Sequence, residues 1–226
     1  MAKTYRALAA LLSYPTAELQ TATDQIAAVL AKERLLSETE RSAIGGLLHE
    51  IAVSDIYDLQ EGYCLLFDRG RALSLNLFEH VHGESRDRGQ AMADLIALYS
   101  RHGLRPGGDE LPDFLPLFLE FLSLLPAREA QELLSEPGAI LRALADRLAA
   151  RKTGYAFVMQ ALARLADAPA DGCADVSDED PDDLAALDAA WEEAAVRFGP
   201  GEVTDGCGTD RLRRRMRAAA RDVSAA

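Results

Sequence analysis

A short polar segment in the middle of the chain combines imidazole, carboxylate and guanidinium side chains. His80 and His82 are two residues apart, and imidazole and carboxylate groups are ligands that zinc accepts. The spacing matches no known zinc motif, however, and no cysteine lies nearby. We therefore expect that this segment binds no metal. Two alternatives stay open: a metal-binding helical protein that uses these histidines, and a loop that is held only by ion pairs. The polar residues are Glu79, His80, His82, Glu84, Arg86 and Arg88.

A second motif precedes the most apolar part of the chain. Its carboxylates suit a basic partner, and they also suit turns and helix caps. Asp113 is predicted to be the N-cap of the following helix, which puts Pro116 in the first turn, where no intrahelical N–H bond is lost. The two roles are compatible. The motif consists of Asp109, Glu110, Leu111, Pro112, Asp113, Phe114, Leu115 and Pro116.

Catalytic motifs are absent from the sequence. It has no glycine-rich phosphate loop, no nucleotide-binding GxGxxG, no GxSxG nucleophile elbow and no HExxH. Cys64 is predicted to be a small core residue, and Cys173 and Cys207 lie in acidic surroundings that would not lower a thiol pKa. We therefore expect no enzyme and no cofactor. A helical enzyme whose residues converge only in three dimensions is the remaining alternative.

Composition and charge narrow the possible partners. The net charge of −13 argues against nucleic acid, which is bound through Lys and Arg, and favours a basic partner. The longest apolar run, residues 114–125, is too short to span a membrane, and the N-terminus lacks the features of a secretory signal. Three cysteines without a CxxC suit a reducing compartment. These features predict a cytoplasmic protein without stable membrane association.

Helical periodicity recurs through residues 1–166 and predicts an all-α fold, a single bundle of about eight to ten helices. The best-signalled helix begins at Ser37, which opens a capping box, and Ser54 is predicted to cap the next one. The helix after Asp113 is expected to lie centrally because it is so apolar. Residues 167–226 are predicted to be an acidic linker and a short C-terminal tail, partly disordered.

Residues 78–90 and 109–116 resemble the nitrate reductase assembly chaperones, the NarJ branch of the helical chaperones that mature molybdenum enzymes. The resemblance covers roughly residues 5–125, and Leu111-Pro112-Asp113 and Leu115-Pro116 match the Leu-Pro-Asp-x-Leu-Pro pattern of this branch. Phe114 stands where a His is frequent, so the resemblance implies apolar contact rather than proton transfer at that position.

The resemblance implies a cytoplasmic, system-specific chaperone for the catalytic subunit of nitrate reductase. Such a chaperone binds the N-terminus of that subunit, assists molybdenum cofactor insertion and enzyme assembly, and is not part of the final enzyme. Cofactor-delivery proteins are expected as further partners. The resemblance assigns the residues of the two motifs to peptide and partner binding, with an amphipathic, basic peptide seated in a groove of the bundle.

Overall fold

The computed structural model describes residues 3–82, 86–107 and 110–168. Within these ranges the chain forms ten α-helices and a 3₁₀ turn at Arg71–Leu73, so the all-α prediction is confirmed. The predicted linker and tail, residues 167–226, lie outside the described residues from position 169 onward, and the domain boundary stays a prediction. The helices are α1 Lys3–Leu11, α2 Ala17–Glu33, α3 Glu38–Val53, α4 Ile56–Phe67, α5 Glu79–His82, α6 Arg86–Arg101, α7 Leu115–Leu124, α8 Ala127–Ser135, α9 Gly138–Ala150 and α10 Tyr155–Leu165.

Local sequence signals explain several helix ends. Ser37 begins α3 with the predicted capping box, in which Ser37 Oγ accepts from Glu40 N–H and Glu40 accepts from Ser37 N–H. Gly103 follows α6 with φ of +73°, a conformation that glycine adopts without steric cost. The predicted N-cap of α4, Ser54, was wrong by one residue. Asp55 is the N-cap of this helix and accepts from Tyr57 N–H, whereas Ser54 ends α3.

The most apolar helix, α7, packs against α1 and is buried on most of its circumference. Leu115, Leu119 and Leu122 in α7 are 0% exposed, as is Leu8 in α1. Burying one such leucine stabilises the fold by about 1.5–3 kcal/mol. A single core cluster includes buried residues from all the described helices except α5, whose partly buried Val81 packs against it, and α2 packs on α3 and α9 on α10.

Side-chain hydrogen bonds to backbone carbonyls fasten α4 to the N-terminal helices. Tyr63 donates its hydroxyl to the carbonyl of Leu12 at 2.8 Å, and Gln60 donates to that of Pro15 at 2.9 Å.

Cys64 on the same helix is only partly buried, so its predicted place in the core was wrong. Desolvation and the neighbouring Asp68 raise the pKa of the Cys64 thiol, the opposite of what a nucleophile needs.

Across the described part of the chain, every helix is too short or too polar to cross a membrane.

Candidate functional site

The fold brings the two polar motifs into contact through an antiparallel bridge between Asn76 and Phe114. Leu77 donates its N–H to the carbonyl of Asp113 at 3.1 Å, and Leu115 donates to that of Leu75 at 2.8 Å. We call these two segments, residues 75–78 and 113–115, the junction. It connects the entry to α5 with the entry to α7, so the two motifs form one structural unit.

Asp113 lies at the centre of the junction and is 0% exposed. Its Oδ2 accepts from Phe78 N–H at 2.8 Å, and its Oδ1 has no hydrogen-bond partner among the described residues. The predicted helix cap was wrong, because Phe114 is the N-cap of α7 and no side chain caps it. Burial raises the pKa of the Asp113 carboxyl, although the Phe78 hydrogen bond and the Arg88 charge oppose this.

The histidine segment also makes structural contacts. His80 Nε2 lies 2.7 Å from the carbonyl of Ser74, and burial lowers the pKa of this imidazole, which favours its neutral form. Glu79 and Arg88 form a partly buried ion pair at 3.1 Å. Within the described ranges, no three His, Cys, Asp or Glu residues come together as a metal site would require. Glu84, Asp109 and the side chains of His82 and Arg86 lie outside the described residues.

A cavity of about 570 Å³ opens beside the junction. Its described lining contains three carboxylates and no Lys or Arg, and we call it the acidic cavity. Burial and then the negative charges nearby, including those of Asp68 and Glu110, raise the pKa of the Tyr63 hydroxyl in its wall. Its charged and aromatic lining residues are Asp68, Glu110, Glu120, Tyr14, Tyr63 and Phe114.

A second cavity of about 620 Å³ runs between α1 and α2. It shares Ser13, Tyr14 and Glu120 with the acidic cavity, so the two adjoin at these residues. We call it the apolar groove after the six small and aliphatic side chains in its wall, which Lys3, Arg6 and Glu18 also line. The six small and aliphatic residues are Ala7, Ala10, Leu19, Ala22, Ile26 and Val29.

Glu33, the last residue of α2, holds the two walls of the apolar groove together. Its carboxylate accepts from the backbone N–H groups of Lys3 and Thr4 and from the Thr4 hydroxyl, each at 2.7 Å. These donors are at the start of α1, where backbone N–H groups lack intrahelical partners. Partial burial alone would raise the pKa of Glu33, but the hydrogen bonds from Thr4 and Lys3 outweigh it and lower that pKa.

Some of the site residues predicted from the sequence line the acidic cavity, and others lie elsewhere. Glu110, Phe114 and Pro116 line the acidic cavity. Leu115 is fully buried and Leu111 is exposed, while the carbonyl of Pro112 accepts from the Tyr99 hydroxyl at 2.7 Å.

Sequence reasoning missed most of the cavity wall. The lone acidic residue in the apolar run of α7, Glu120, was an available signal, because a charge in so apolar a helix requires an open face. The other missed residues come from several distant parts of the sequence. They are Ser13, Tyr14, Tyr63, Asp68, Asn76, Gly107 and Leu117.

Comparison with known proteins identifies the family. Residues 16–157 match the model of the nitrate reductase delta subunit family. The chain belongs to this family. It is 45% identical to the nitrate reductase molybdenum cofactor assembly chaperone NarJ of Escherichia coli K12, over 88% of this chain and 84% of the relative. It is 41% identical to the probable chaperone NarW of the same strain, over 85% and 86%. The probable NarJ of Bacillus subtilis is 31% identical, over 70% and 85%.

These matches confirm the resemblance drawn from the two motifs. The relatives at 45% and 41% identity carry the description of assembly chaperones rather than of catalytic proteins, so this chain is a chaperone and not an enzyme. Its two adjoining cavities are accordingly candidates for binding another protein rather than for turning over a substrate.

Proposed function

We propose that this chaperone binds the N-terminus of the nitrate reductase catalytic subunit and assists molybdenum cofactor insertion and assembly of that enzyme. The observation that carries the proposal is the adjacency of the acidic cavity and the apolar groove. A short peptide with one apolar face and several basic residues matches both surfaces at once. Recognition of an amphipathic helix in a groove is a recurrent mode of peptide binding.

The two cavities contribute in different ways. Apolar side chains of the peptide become buried in the groove between α1 and α2. Their removal from water supplies most of the affinity. Glu110, Glu120 and Asp68 attract and orient its basic residues, which accelerates encounter and fixes direction more than it adds affinity. Tyr14 contacts both halves of the ligand because it lines both cavities.

The junction supports this site from behind. Glu110, Phe114 and the buried Pro116 form the part of the cavity wall that faces the ligand. Asp113 and Leu115 are fully buried outside that wall and keep the backbone of the motif in place. Positioning by buried groups is how a recognition loop acquires a fixed shape. Glu79, His80 and Arg88 make structural contacts next to the same unit.

The chaperone works in the cytoplasm before the catalytic subunit docks on the membrane, and cofactor-delivery proteins are its further partners. The molybdenum cofactor is cargo for the enzyme rather than a resident group of the chaperone. Because cofactor loading ends the interaction, the chaperone binds the immature subunit more tightly than the mature one.

Titration calorimetry with a synthetic peptide of the catalytic subunit's N-terminus tests the proposal. We expect saturable binding that Glu120→Lys weakens at least about tenfold, equivalent to about 1.4 kcal/mol. Asp146→Lys is the matched control, since Asp146 is exposed on α9 and lines neither cavity. No heat of binding at about 100 μM would refute the proposal, because it leaves less than about 5.5 kcal/mol for a dedicated partner.

A further inference from the structure

The C-terminal sequence has the same chemical character as the ligand that the cavities fit. Residues 211–217 contain five arginines, together with Leu212 and Met216. These two apolar residues are four positions apart, the spacing at which side chains share one face of a helix. The chain as a whole has a net charge of −13, so this cluster is a local exception to its acidity.

The acidic cavity is complementary to such a segment. Asp68, Glu110 and Glu120 line it, and the described lining contains no Lys or Arg to neutralise them. Glu110 and Glu120 are exposed, so a cation can approach their carboxylates without a large desolvation cost. The rings of Tyr14 and Phe114 lie in the same wall and offer faces on which a guanidinium group can stack.

The connecting chain is long enough for the two to meet. The described part ends at Ala168, and residues 169–210 lie between it and the first arginine of the cluster. Even as a continuous helix those residues would extend roughly 60 Å, whereas a domain of this size is roughly 40 Å across. A tethered segment also has an effective concentration near the millimolar range, so modest intrinsic affinity suffices for occupancy.

We propose that residues 211–217 occupy the acidic cavity of their own chain and exclude the nitrate reductase peptide until it displaces them. Competition with the nitrate reductase peptide rests on the function proposed above. Occupancy of the cavity by residues 211–217 does not depend on that function. When residues 211–217, here called the tail, occupy the cavity, the apparent affinity for the peptide falls. It equals the intrinsic affinity multiplied by the fraction of cavities that are unoccupied. The bound tail also shields the site from other basic segments, so only a ligand that also fills the apolar groove displaces the tail.

Cross-linking from Cys207, four residues before Arg211, tests the occupancy in the full chain. A photoreactive maleimide is attached there after Cys64→Ser and Cys173→Ser, and the cross-linked peptides are mapped by mass spectrometry. We expect cross-links within one chain to residues around Tyr14 and Phe114, lost when Arg213→Glu and Arg214→Glu are combined. Cross-links confined to the acidic stretch 169–193, or formed between two chains, would overturn the proposal.

Peptide titration tests the competition separately. Arg213→Glu with Arg214→Glu should increase the apparent affinity of the full chain for the catalytic-subunit peptide about tenfold, as expected when the tail occupies about 90% of the cavities. Arg101→Glu with Lys152→Glu changes the net charge equally at exposed positions outside both cavities and should leave the affinity nearly unchanged.

The two readouts separate the two proposals. Intrachain cross-links at the cavity without any peptide binding would support tail occupancy and refute the proposed function. Peptide binding that is equal in the tail variant and the unsubstituted chain, with no cross-link at the cavity, would refute the tail proposal and leave the chaperone function intact. Equal increases in affinity in the tail variant and the control would also refute it, because net charge alone would then explain the effect.

Discussion

The junction and the acidic cavity use the same short motif in opposite ways. Asp113 in the junction is fully buried, and its carboxylate accepts from a backbone N–H. Glu110, three residues earlier, is exposed and faces the cavity. Two carboxylates that look alike in sequence therefore differ in what they stabilise. Asp113 fixes the conformation of the loop, and Glu110 places a negative charge on its surface.

This difference has a consequence for mutagenesis of the family motif. Replacing the buried carboxylate should change stability first and binding only through the displaced loop. Replacing an exposed cavity residue should change binding while leaving the fold intact. Single substitutions in the two regions test that division.

Asp113→Ala should lower the free energy of unfolding by about 2 kcal/mol, because it leaves the buried Phe78 N–H without its acceptor. Urea denaturation followed by circular dichroism measures the loss. Asp113→Asn is the control, since an amide oxygen can still accept from that N–H, and it should lose less. A loss below about 0.5 kcal/mol for the Ala variant would mean that the junction does not depend on this hydrogen bond.

Tyr14→Ala should weaken binding of the catalytic-subunit peptide about tenfold, or about 1.4 kcal/mol, because Tyr14 lines both cavities. Tyr14 is 47% exposed, so the free energy of unfolding should change little. Calorimetry and thermal melting measure the two quantities. Tyr57 is 76% exposed and lines neither cavity, so the peptide affinity of Tyr57→Ala should equal that of the unsubstituted chain. Equal affinity in both variants would contradict the shared-wall assignment.

Glu33→Gln should lower the free energy of unfolding by about 1 kcal/mol at neutral pH, because the ionised carboxylate caps the start of α1. Since folding lowers the pKa of Glu33, its stabilising effect is present above the ordinary pKa of about 4.5 and is lost as the pH falls through the folded-state value. The variant and the unsubstituted chain should therefore converge in acid. Glu61→Gln, at an exposed position on α4, should show no such convergence.

The smallest effect concerns the pH dependence of Asp113. Because folding raises its pKa, ionisation costs stability as the pH rises from about 3.8 through the folded-state value. Asp113→Asn does not titrate, so its stability relative to the unsubstituted chain should improve between about pH 4 and 7. Denaturation at several pH values checks this. A difference that stays constant over that range would mean that the carboxyl titrates as if exposed.

The sequence predicted the helices well because the signals for a helix are local. The capping box at Ser37, the positive-φ glycine after α6 and the apolar periodicity of α7 each involve neighbouring residues. The family motifs also indicated the correct class of protein, as the comparisons confirm. The two capping errors have different causes. Ser54 and Asp55 offer similar local capping chemistry, and Asp55 is the one that caps α4. The Asp113 carboxylate instead accepts from Phe78, 35 residues away in sequence, a long-range contact that no local pattern indicates.

The amino-acid sequence by itself thus determined an acidic, all-helical chaperone and two polar segments of interest. Only the tertiary structure decided that Asp113 is buried, that Cys64 is not in the core, and that the cavity wall joins Tyr14, Asp68 and Glu120. The physical reason is the range of the interactions. A helix forms through bonds between residues three or four apart, whereas burial and cavities depend on which helices pack together, and residues distant in sequence determine that packing.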